Sequence, residues 1–208
     1  MAFIRAILFT LALLVSSGHA ATIVVKNNCR RTIWPATLAS GSGQPQLSLT
    51  GFELASGASE TITVPTPWTG IPPAMLAEFT LAQNGGLDFY DISLIDGFNL
   101  PASITPNGGT GQCVSPKCSA NVNQACPSNL EVKTAEGMVI GCKSSCLAFN
   151  RPEDGCTGEF NDPEICKPGI SATIFEEQCP QAYSYAYDDE NSTFTCSATS
   201  SYDVTFCL

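Results

Sequence analysis

Residues 76–93, LAEFTLAQNGGLDFYDIS, decide the fold class of this chain, because they have the pattern of a β-hairpin. Two runs rich in apolar and aromatic residues, 76–82 and 87–94, flank Gln83-Asn84-Gly85-Gly86. Asn-Gly between two such runs is the strongest short-range hairpin signal, since both residues tolerate the positive φ angles of a type I′ turn. The segment therefore predicts two antiparallel strands joined by a tight turn.

Shorter strand-like runs continue this pattern on both sides of the hairpin. Residues 59–64, SETITV, alternate clearly, and Asp96-Gly97 predicts a turn after the hairpin. Many short strands separated by regular turns are typical of an all-β sandwich. The other predicted strands are 22–25, 31–35, 51–54, 98–104, 183–187 and 202–207.

The first twenty residues predict a secretory signal peptide rather than a part of the fold. Arg5 precedes the apolar run 6–16, and Gly18-His19-Ala20 has the small-x-small pattern of a cleavage site. We therefore expect the mature chain to begin near Ala21. No second apolar run reaches the length of a membrane span, so no such span is expected.

The rest of the chain divides into three segments. Residues 21–112 predict the first part of a β-sandwich, and 179–208 predict its closing strands. Residues 113–178 are rich in cysteine and weak in apolar periodicity, which predicts a loop domain held by disulfides. Within it we expect a short helix in 138–149, with Cys142 and Cys146 on one face, and a second helix at 170–177.

Composition excludes several classes of function. Nineteen acidic residues stand against nine basic ones, a net charge of −10, so the chain would repel nucleic acid and anionic lipid. The single histidine, His19, lies in the predicted signal peptide, which excludes histidine-based catalysis and histidine-ligated metal. We expect no metal and no cofactor, and any catalysis would use carboxylates, tyrosines or lysines.

The eleven cysteines all follow residue 20. In an oxidising compartment this number predicts a disulfide framework. An odd count leaves one cysteine as a free thiol or in an intermolecular bridge. Spacing alone does not give the connectivity.

The predicted hairpin brings two acids together. A two-residue Asn84-Gly85 loop places Glu78 directly opposite Asp91, and directly opposed residues share one face of a sheet. Like charges so placed repel, and one carboxyl should titrate at high pH. Asp96 and Asp188 are further candidates, although the residues alone favour ordinary turn chemistry for Asp96 and a solvated loop for Asp188.

Motifs along the whole chain now resemble one known family, in the same order. They are ATIVVKNNC (21–29), TIWP (32–35), LAEFTL (76–81), LDFYDISLIDGFNLP (87–101), CKSSCLAFN (142–150), CPQAYSYAYDD (179–189), STFTC (192–196) and VTFC (204–207). The chain resembles the thaumatin-like (pathogenesis-related, osmotin and thaumatin) protein family. This resemblance implies a flattened β-sandwich, a disulfide-rich loop domain and an acidic cleft between them.

The resemblance also implies a disulfide pairing. Gly155 stands where the family has a cysteine, which leaves Cys146 unpaired. The implied bridges are Cys29–Cys207, Cys113–Cys196, Cys118–Cys179, Cys126–Cys142 and Cys156–Cys166.

The family's cleft is lined by an arginine, a glutamate and three aspartates. Glu78, Asp91 and Asp96 match its motif positions, and Asp188 is the expected third aspartate, with Asp189 as a rival. If the cleft hydrolyses glycosides, Glu78 would be the general acid and Asp91 the base or nucleophile.

Three aromatic residues near these acids allow two interpretations. Phe89, Tyr90 and Phe98 would either stack on sugar rings or belong to the sandwich core. Of the two, the core is favoured.

One departure from the family lies before the hairpin. Trp68-Thr69-Gly70 runs directly into Ile71-Pro72-Pro73, where the family has a strand, a four-cysteine loop domain and the cleft arginine. The missing strand is expected to leave sheet edges exposed.

The resemblance implies a secreted, extracellular (apoplastic) monomer of plant defence that binds β-1,3-glucan or another cell-wall polysaccharide. The alternatives are a weak endo-β-1,3-glucanase with paired carboxylates, an inhibitor of foreign hydrolases with a fungal protein as partner, and an inactive truncated copy. Asn191-Ser192-Thr193 predicts N-glycosylation close to Asp188.

Overall fold

The computed structural model describes residues 22–37, 51–63, 72–82 and 86–208, and strands dominate its regular structure. The strands are β1 (Thr22–Asn27), β2 (Ser59–Thr63), β3 (Leu76–Thr80), β4 (Leu87–Ser93), β5 (Ala102–Thr110), β6 (Lys117–Cys118), β7 (Glu131–Lys133), β8 (Val139–Cys142), β9 (Ala182–Tyr183) and β10 (Phe194–Phe206). The helices are α1 (Ser145–Phe149), α2 (Ile170–Gln178) and α3 (Asp189–Ser192), with 3₁₀ turns at Val122–Gln124 and Gly158–Phe160.

β10 organises the main sheet, whose order is β2-β1-β10-β4-β3. The first part of this 13-residue strand pairs with β4, and its second part pairs with β1 on one side and β5 on the other. The register with β5 shifts between Thr199 and Ser201. Such an irregularity bends a strand and increases its twist, so β10 contributes to both halves of a curled, sandwich-like sheet.

Aromatic residues fill the core between these strands. Tyr90, Phe98 and Tyr202 are completely buried, and the rings of Tyr90 and Tyr202 lie 5.0 Å apart between centroids. The Tyr90 hydroxyl donates to the backbone carbonyl of Val114 at 2.6 Å. Burying an aromatic ring while its polar group finds a partner is a strong contribution to a β-sandwich.

Five disulfides cross-link the sheet and the cysteine-rich segment. The five bridges are Cys29–Cys207, Cys113–Cys196, Cys118–Cys179, Cys126–Cys142 and Cys156–Cys166, the pairs that the resemblance implied. Cys146 is a free thiol. Cys29 and Cys207 close a loop with a sequence separation of 178. On the chain-entropy model such a bridge contributes about 5 kcal/mol.

The predicted helix in 138–149 was wrong in its first half. Cys142 ends β8, which pairs with β7, and α1 begins only at Ser145. The Ser144 hydroxyl fixes this start because it accepts the Leu147 N–H at 3.1 Å. Cys142 and Cys146 therefore do not share a helix face. The helix predicted at 170–177 is present as α2.

Several predicted strands are shorter or displaced. Residues 31–35 and 51–54 form only isolated bridges, Ile33–Leu54 and Ala36–Gly51. The strand predicted at 98–104 begins at Ala102, after Pro101, which lacks the N–H that a ladder requires. The predicted signal peptide, the hairpin tip at 83–85 and the junction at 64–71 lie outside the described residues. Within the described ranges, no helix has the length and apolar character needed to cross a membrane.

Candidate acidic site

The hairpin register brings the two predicted acids together. β3 and β4 are antiparallel, and Glu78 is the direct partner of Asp91. Because side chains alternate along a strand, Asp91 shares its face of β4 with Phe89 and Leu87. Both of these apolar side chains are unusually exposed, at 44% and 48%. The face thus combines paired acids with an open apolar surface.

A hydrogen bond between the two carboxyl groups is among the causes that shift the pKa of each. Two ionised carboxylates have no proton to share, so this contact requires one of them to be protonated. Oδ1 of Asp91 is shielded from solvent and has no donor among the described residues. These surroundings favour the retention of one proton by the Glu78–Asp91 pair.

Burial and charge raise the pKa of Asp91 to about 8. Desolvation is the largest cause, followed by the negative charge of Glu78, the hydrogen bond with Glu78 and the charge of Asp189. The pKa of Glu78 is raised as well, first by desolvation, although its hydrogen bonds with Asp91 and Ser93 act in the opposite direction. Glu78 is the more exposed residue, so we assign the shared proton to Asp91.

Asp96 lies beside this pair in the turn after β4. Its negative charge contributes to the raised pKa of Glu78. The turn is pressed against β8, because a Cβ on the following Gly97 would lie only 2.4 Å from the Cys142 carbonyl oxygen. Gly97 also has a φ of +97°, so both the lack of space and the backbone conformation require glycine at this position. The close packing of this turn holds Asp96 near the sheet face.

The structure brings Asp189, rather than Asp188, to the Glu78–Asp91 pair. The charge of Asp189 acts on Asp91, and its Oδ1 accepts a hydrogen bond from the Tyr183 hydroxyl at 2.5 Å. Asp188 accepts from the backbone N–H and the hydroxyl of Ser184, and its charge raises the pKa of Glu176, where desolvation is the larger cause. The assignment of Asp188 to the acidic site stays a prediction, while its rival Asp189 is the aspartate whose charge acts on Asp91.

Tyr183 is the site residue that the sequence analysis missed. Its hydroxyl contacts Asp189 and Thr193, and burial followed by the Asp189 hydrogen bond raises its pKa to about 12. It belongs to β9, which pairs with β4 next to the acids. The strand predicted at 183–187 was wrong beyond Tyr183, because β9 ends there and Ser184 donates to Asp188 in the turn that follows. The place of Tyr183 beside the acids is revealed only by the pairing of β9 with β4.

The three candidate aromatics separate into two groups. Tyr90 and Phe98 are core residues, as favoured, with no exposed surface. Phe89 instead lies on the exposed face, across from Thr80 of β3 and Thr195 of β10. Only Phe89 is therefore available to contact a ligand.

No cation balances the acids within the described part of the chain. Its ion pairs are Lys26–Asp203, Lys133–Glu131 and Arg151 with Glu153 and Asp154. The described residues also contain no cluster of three or more histidine, cysteine or acidic side chains arranged to hold a metal. Asn191 is exposed on α3, and its glycosylation stays a prediction.

Comparisons with known proteins agree with the motifs. A profile of the Thaumatin family matches residues 27–71 and 69–208. Thaumatin-like protein 1a of Malus domestica is 51% identical over 95% of both chains. A protein of Prunus avium named glucan endo-1,3-beta-glucosidase is 47% identical over 91% of both, and pathogenesis-related protein 5 of Arabidopsis thaliana is 40% identical over the full length of both.

A solved structure shows the same fold at low sequence identity. It is a laminaripentaose-producing β-1,3-glucanase in complex with laminaritetraose, with a TM-score of 0.61 and 12% identity over 92% of this chain and 99% of that one. At this identity the likeness concerns the fold alone.

The same comparisons indicate where this chain lacks residues that its relatives have. The alignment with the Malus domestica protein spans 234 positions, more than the 208 residues of this chain, so the relative carries residues that this chain lacks. The two profile matches meet at residues 69–71, where the departure from the family was expected. With these matches and the five disulfides, the chain belongs to the thaumatin family.

Proposed function

We propose that this protein is a secreted, extracellular plant defence protein that binds β-1,3-glucan on the exposed face of β3 and β4. The observation that carries this proposal is the exposed Phe89 ring on the same strand face as the Asp91–Glu78 pair. A flat ring can stack on a sugar, while neighbouring carboxyl oxygens accept hydrogen bonds from its hydroxyls. The names of the Prunus avium and Arabidopsis relatives support both the glucan and the defence role.

The shared proton suits a neutral polysaccharide. A single negative charge on the pair reduces the repulsion that two carboxylates would cause. The protonated Asp91 and the ionised Glu78 then offer a donor and several acceptors to hydroxyl groups. Thr80 and Thr195, which flank Phe89, add further hydroxyls to the same face.

A binding assay with insoluble β-1,3-glucan tests this proposal. The wild-type protein should sediment with the glucan, whereas Phe89→Ala should raise the Kd from a glucan titration about tenfold, as expected for the loss of one stacking contact of about 1.4 kcal/mol. Trp34→Ala is the matched control, because Trp34 is an exposed aromatic outside β3 and β4. Equal losses in the two variants, or equal binding of wild type to cellulose, would contradict a glucan site at Phe89.

Weak endo-β-1,3-glucanase activity is the second candidate, favoured by the named activity of the Prunus avium relative. A hydrogen bond between Glu78 and Asp91, which is among the causes of their shifted pKa values, would be shorter than the spacing of two catalytic carboxyls. Retaining enzymes separate these groups by about 5–5.5 Å and inverting enzymes by about 6.5–9.5 Å. Hydrolysis would therefore pair Asp91, the protonated acid, with a more distant carboxylate such as Asp189.

Release of reducing sugar from a soluble β-1,3-glucan tests the second candidate. Asp91→Asn should abolish any release, because the amide cannot donate the proton that the leaving group needs. Asp203→Asn serves as a control, since Asp203 is ion-paired with Lys26 on another part of the sheet. Activity that survives in Asp91→Asn would assign hydrolysis to other residues or to a contaminant.

A further inference from the structure

A cavity of about 250 Å³ lies apart from the acidic face and shares no residue with it. Four separate segments of the chain form its wall: the stretch after β1, the stretch before β5, the first 3₁₀ turn and the start of β8. Its lining residues are Arg31, Asn99, Leu100, Pro101, Asn121, Asn123, Met138, Val139 and Ile140.

The lining has the opposite electrostatic character to the rest of the chain. The lining contains one guanidinium and three side-chain amides. None of the described residues that line it is acidic, although the chain has nineteen acidic residues. The Arg31 side chain forms no ion pair with a described residue. A guanidinium offers two parallel N–H donors that match a carboxylate. The cavity is therefore suited to an anion.

Hydrogen bonds fix the backbone that carries these groups. The Arg31 carbonyl accepts from the Asn27 side-chain amide at 2.9 Å, and the Asn99 carbonyl accepts from Asn123 Nδ2 at 3.2 Å. The Asn99 side-chain oxygen accepts the N–H groups of Met75 and Leu100. Such contacts hold a site in one arrangement, so less order is lost when a ligand binds.

An apolar wall completes the cavity. Met138 and Ile140 lie on the β8 side and are 59% and 40% exposed. Exposed apolar side chains beside an arginine and several amides can cover the carbon face of a ring whose hydroxyls bond to the amides. The volume lies below the range of about 300–1,000 Å³ for drug-sized ligands, so the ligand is small.

We propose that this cavity binds a hexuronate, a sugar that carries a carboxylate. Its carboxylate would pair with Arg31, its hydroxyls with the side chains of Asn99 and Asn121, and its ring with Met138 and Ile140. A neutral sugar would offer the guanidinium no charged partner. Inorganic phosphate would use the guanidinium but neither the apolar wall nor the full set of amides. The proposal is independent of the glucan site.

Titration calorimetry with D-galacturonate and D-galactose tests this proposal, because the two sugars differ only in the carboxylate. Galacturonate should bind at least about tenfold more tightly, and Arg31→Gln should lower its affinity by at least about tenfold. Arg30→Gln is the matched control, since Arg30 is the adjacent arginine, is exposed like Arg31 and does not line the cavity. Its affinity should stay within about twofold of wild type.

Four outcomes would overturn the proposal. Equal affinities for galacturonate and galactose would exclude a carboxylate site. Equal losses in Arg31→Gln and Arg30→Gln would indicate general charge attraction. Phosphate binding as tightly as galacturonate would indicate a plain anion site, and absence of saturable galacturonate binding at millimolar concentration would leave no site. Thermal unfolding of each variant, which should match wild type, shows that a loss does not arise from misfolding.

Discussion

Asp88 and Asp91 lie three residues apart on β4 and point to opposite faces of the sheet, where their carboxylates meet different surroundings. Asp88 is buried, and its two oxygens accept the Ala82 N–H and the Tyr202 hydroxyl, each at 2.8 Å. Asp91 has a shielded oxygen without a donor among the described residues and faces the acid Glu78. A buried carboxylate with two donors stabilises the fold, whereas one opposed by another acid retains a proton and capacity for a ligand.

Cys146, in the disulfide-rich region, is a second group without a bonding partner, and its surroundings differ from those of Asp91. A Cβ added at Gly155 would lie 3.0 Å from the Cys146 sulfur. This is close to the separation that a sulfur–sulfur bond of about 2.04 Å imposes between a Cβ and the far sulfur. Burial, followed by the charges of Asp96 and Asp154, raises the pKa of the thiol. The missing partner therefore leaves a neutral group, without the charge conflict seen at Asp91.

The largest expected effect is on the free energy of unfolding, when Asp88, the carboxylate with two hydrogen-bond donors, is removed. Asp88→Ala should lower the free energy of unfolding by about 3 kcal/mol, because it leaves two buried donors without an acceptor, each worth about 1–3 kcal/mol. Asp91→Ala should cost less than about 1 kcal/mol at neutral pH, since the protonated Asp91 gives up only its hydrogen bond with Glu78 and its Oδ1 already has no donor among the described residues. Urea unfolding of both variants measures the difference. Similar losses would mean that the two faces of β4 do not differ as described.

The next effect concerns the missing disulfide partner. Gly155→Cys should form a bridge with Cys146 and raise the stability by about 2.5 kcal/mol on the chain-entropy model, because the closed loop is short. A thiol assay should fall from one free thiol per chain to none. Gly155→Ser is the matched control, since it adds a side chain of similar size without a bond. A free-thiol count that does not fall would show that the two positions cannot be bridged.

Local sequence signals predicted the acid pair but not its surroundings. The Asn-Gly signal defined the β3–β4 register, and the alternation of side chains then placed Glu78 opposite Asp91. The exposure of Phe89 depends on what covers its face, and the role of Asp189 depends on the pairing of β9 with β4. The local sequence pattern predicts neither the exposure of Phe89 nor the role of Asp189, because tertiary contacts determine both.

The same limit explains the partial failure in the cysteine-rich region. The run 138–149 has a helical spacing of Cys142 and Cys146, yet its first residues pair with β7 and Phe98 instead. Local propensity is a weak guide where disulfides and strand pairing supply the stability. Connectivity came from the family resemblance, since eleven cysteines do not specify their own pairing.

The smallest expected effect is a change in pH dependence at the acid pair. The pKa of Asp91 in the folded state is about 8, above its ordinary value of 3.8. The native protein therefore keeps a proton that the unfolded chain releases between these values, so this contribution to stability is complete below about pH 4 and is lost as the pH rises through 8. One such proton gives a slope of at most about 1.4 kcal/mol per pH unit. Solvent near the pair weakens the electrostatic causes of the shift, which narrows the pH range over which this slope applies.

Asp91→Asn should flatten this decline, because the amide does not titrate and can donate to Glu78. Urea unfolding between about pH 5 and pH 7 measures the slope in wild type and variant. Glu60→Gln on β2 provides the control, since Glu60 is an exposed carboxylate on an edge strand, and its curve should run parallel to wild type. Parallel curves for Asp91→Asn and wild type would show that Asp91 keeps no extra proton, and the contrast with Asp88 would then rest on hydrogen bonding alone.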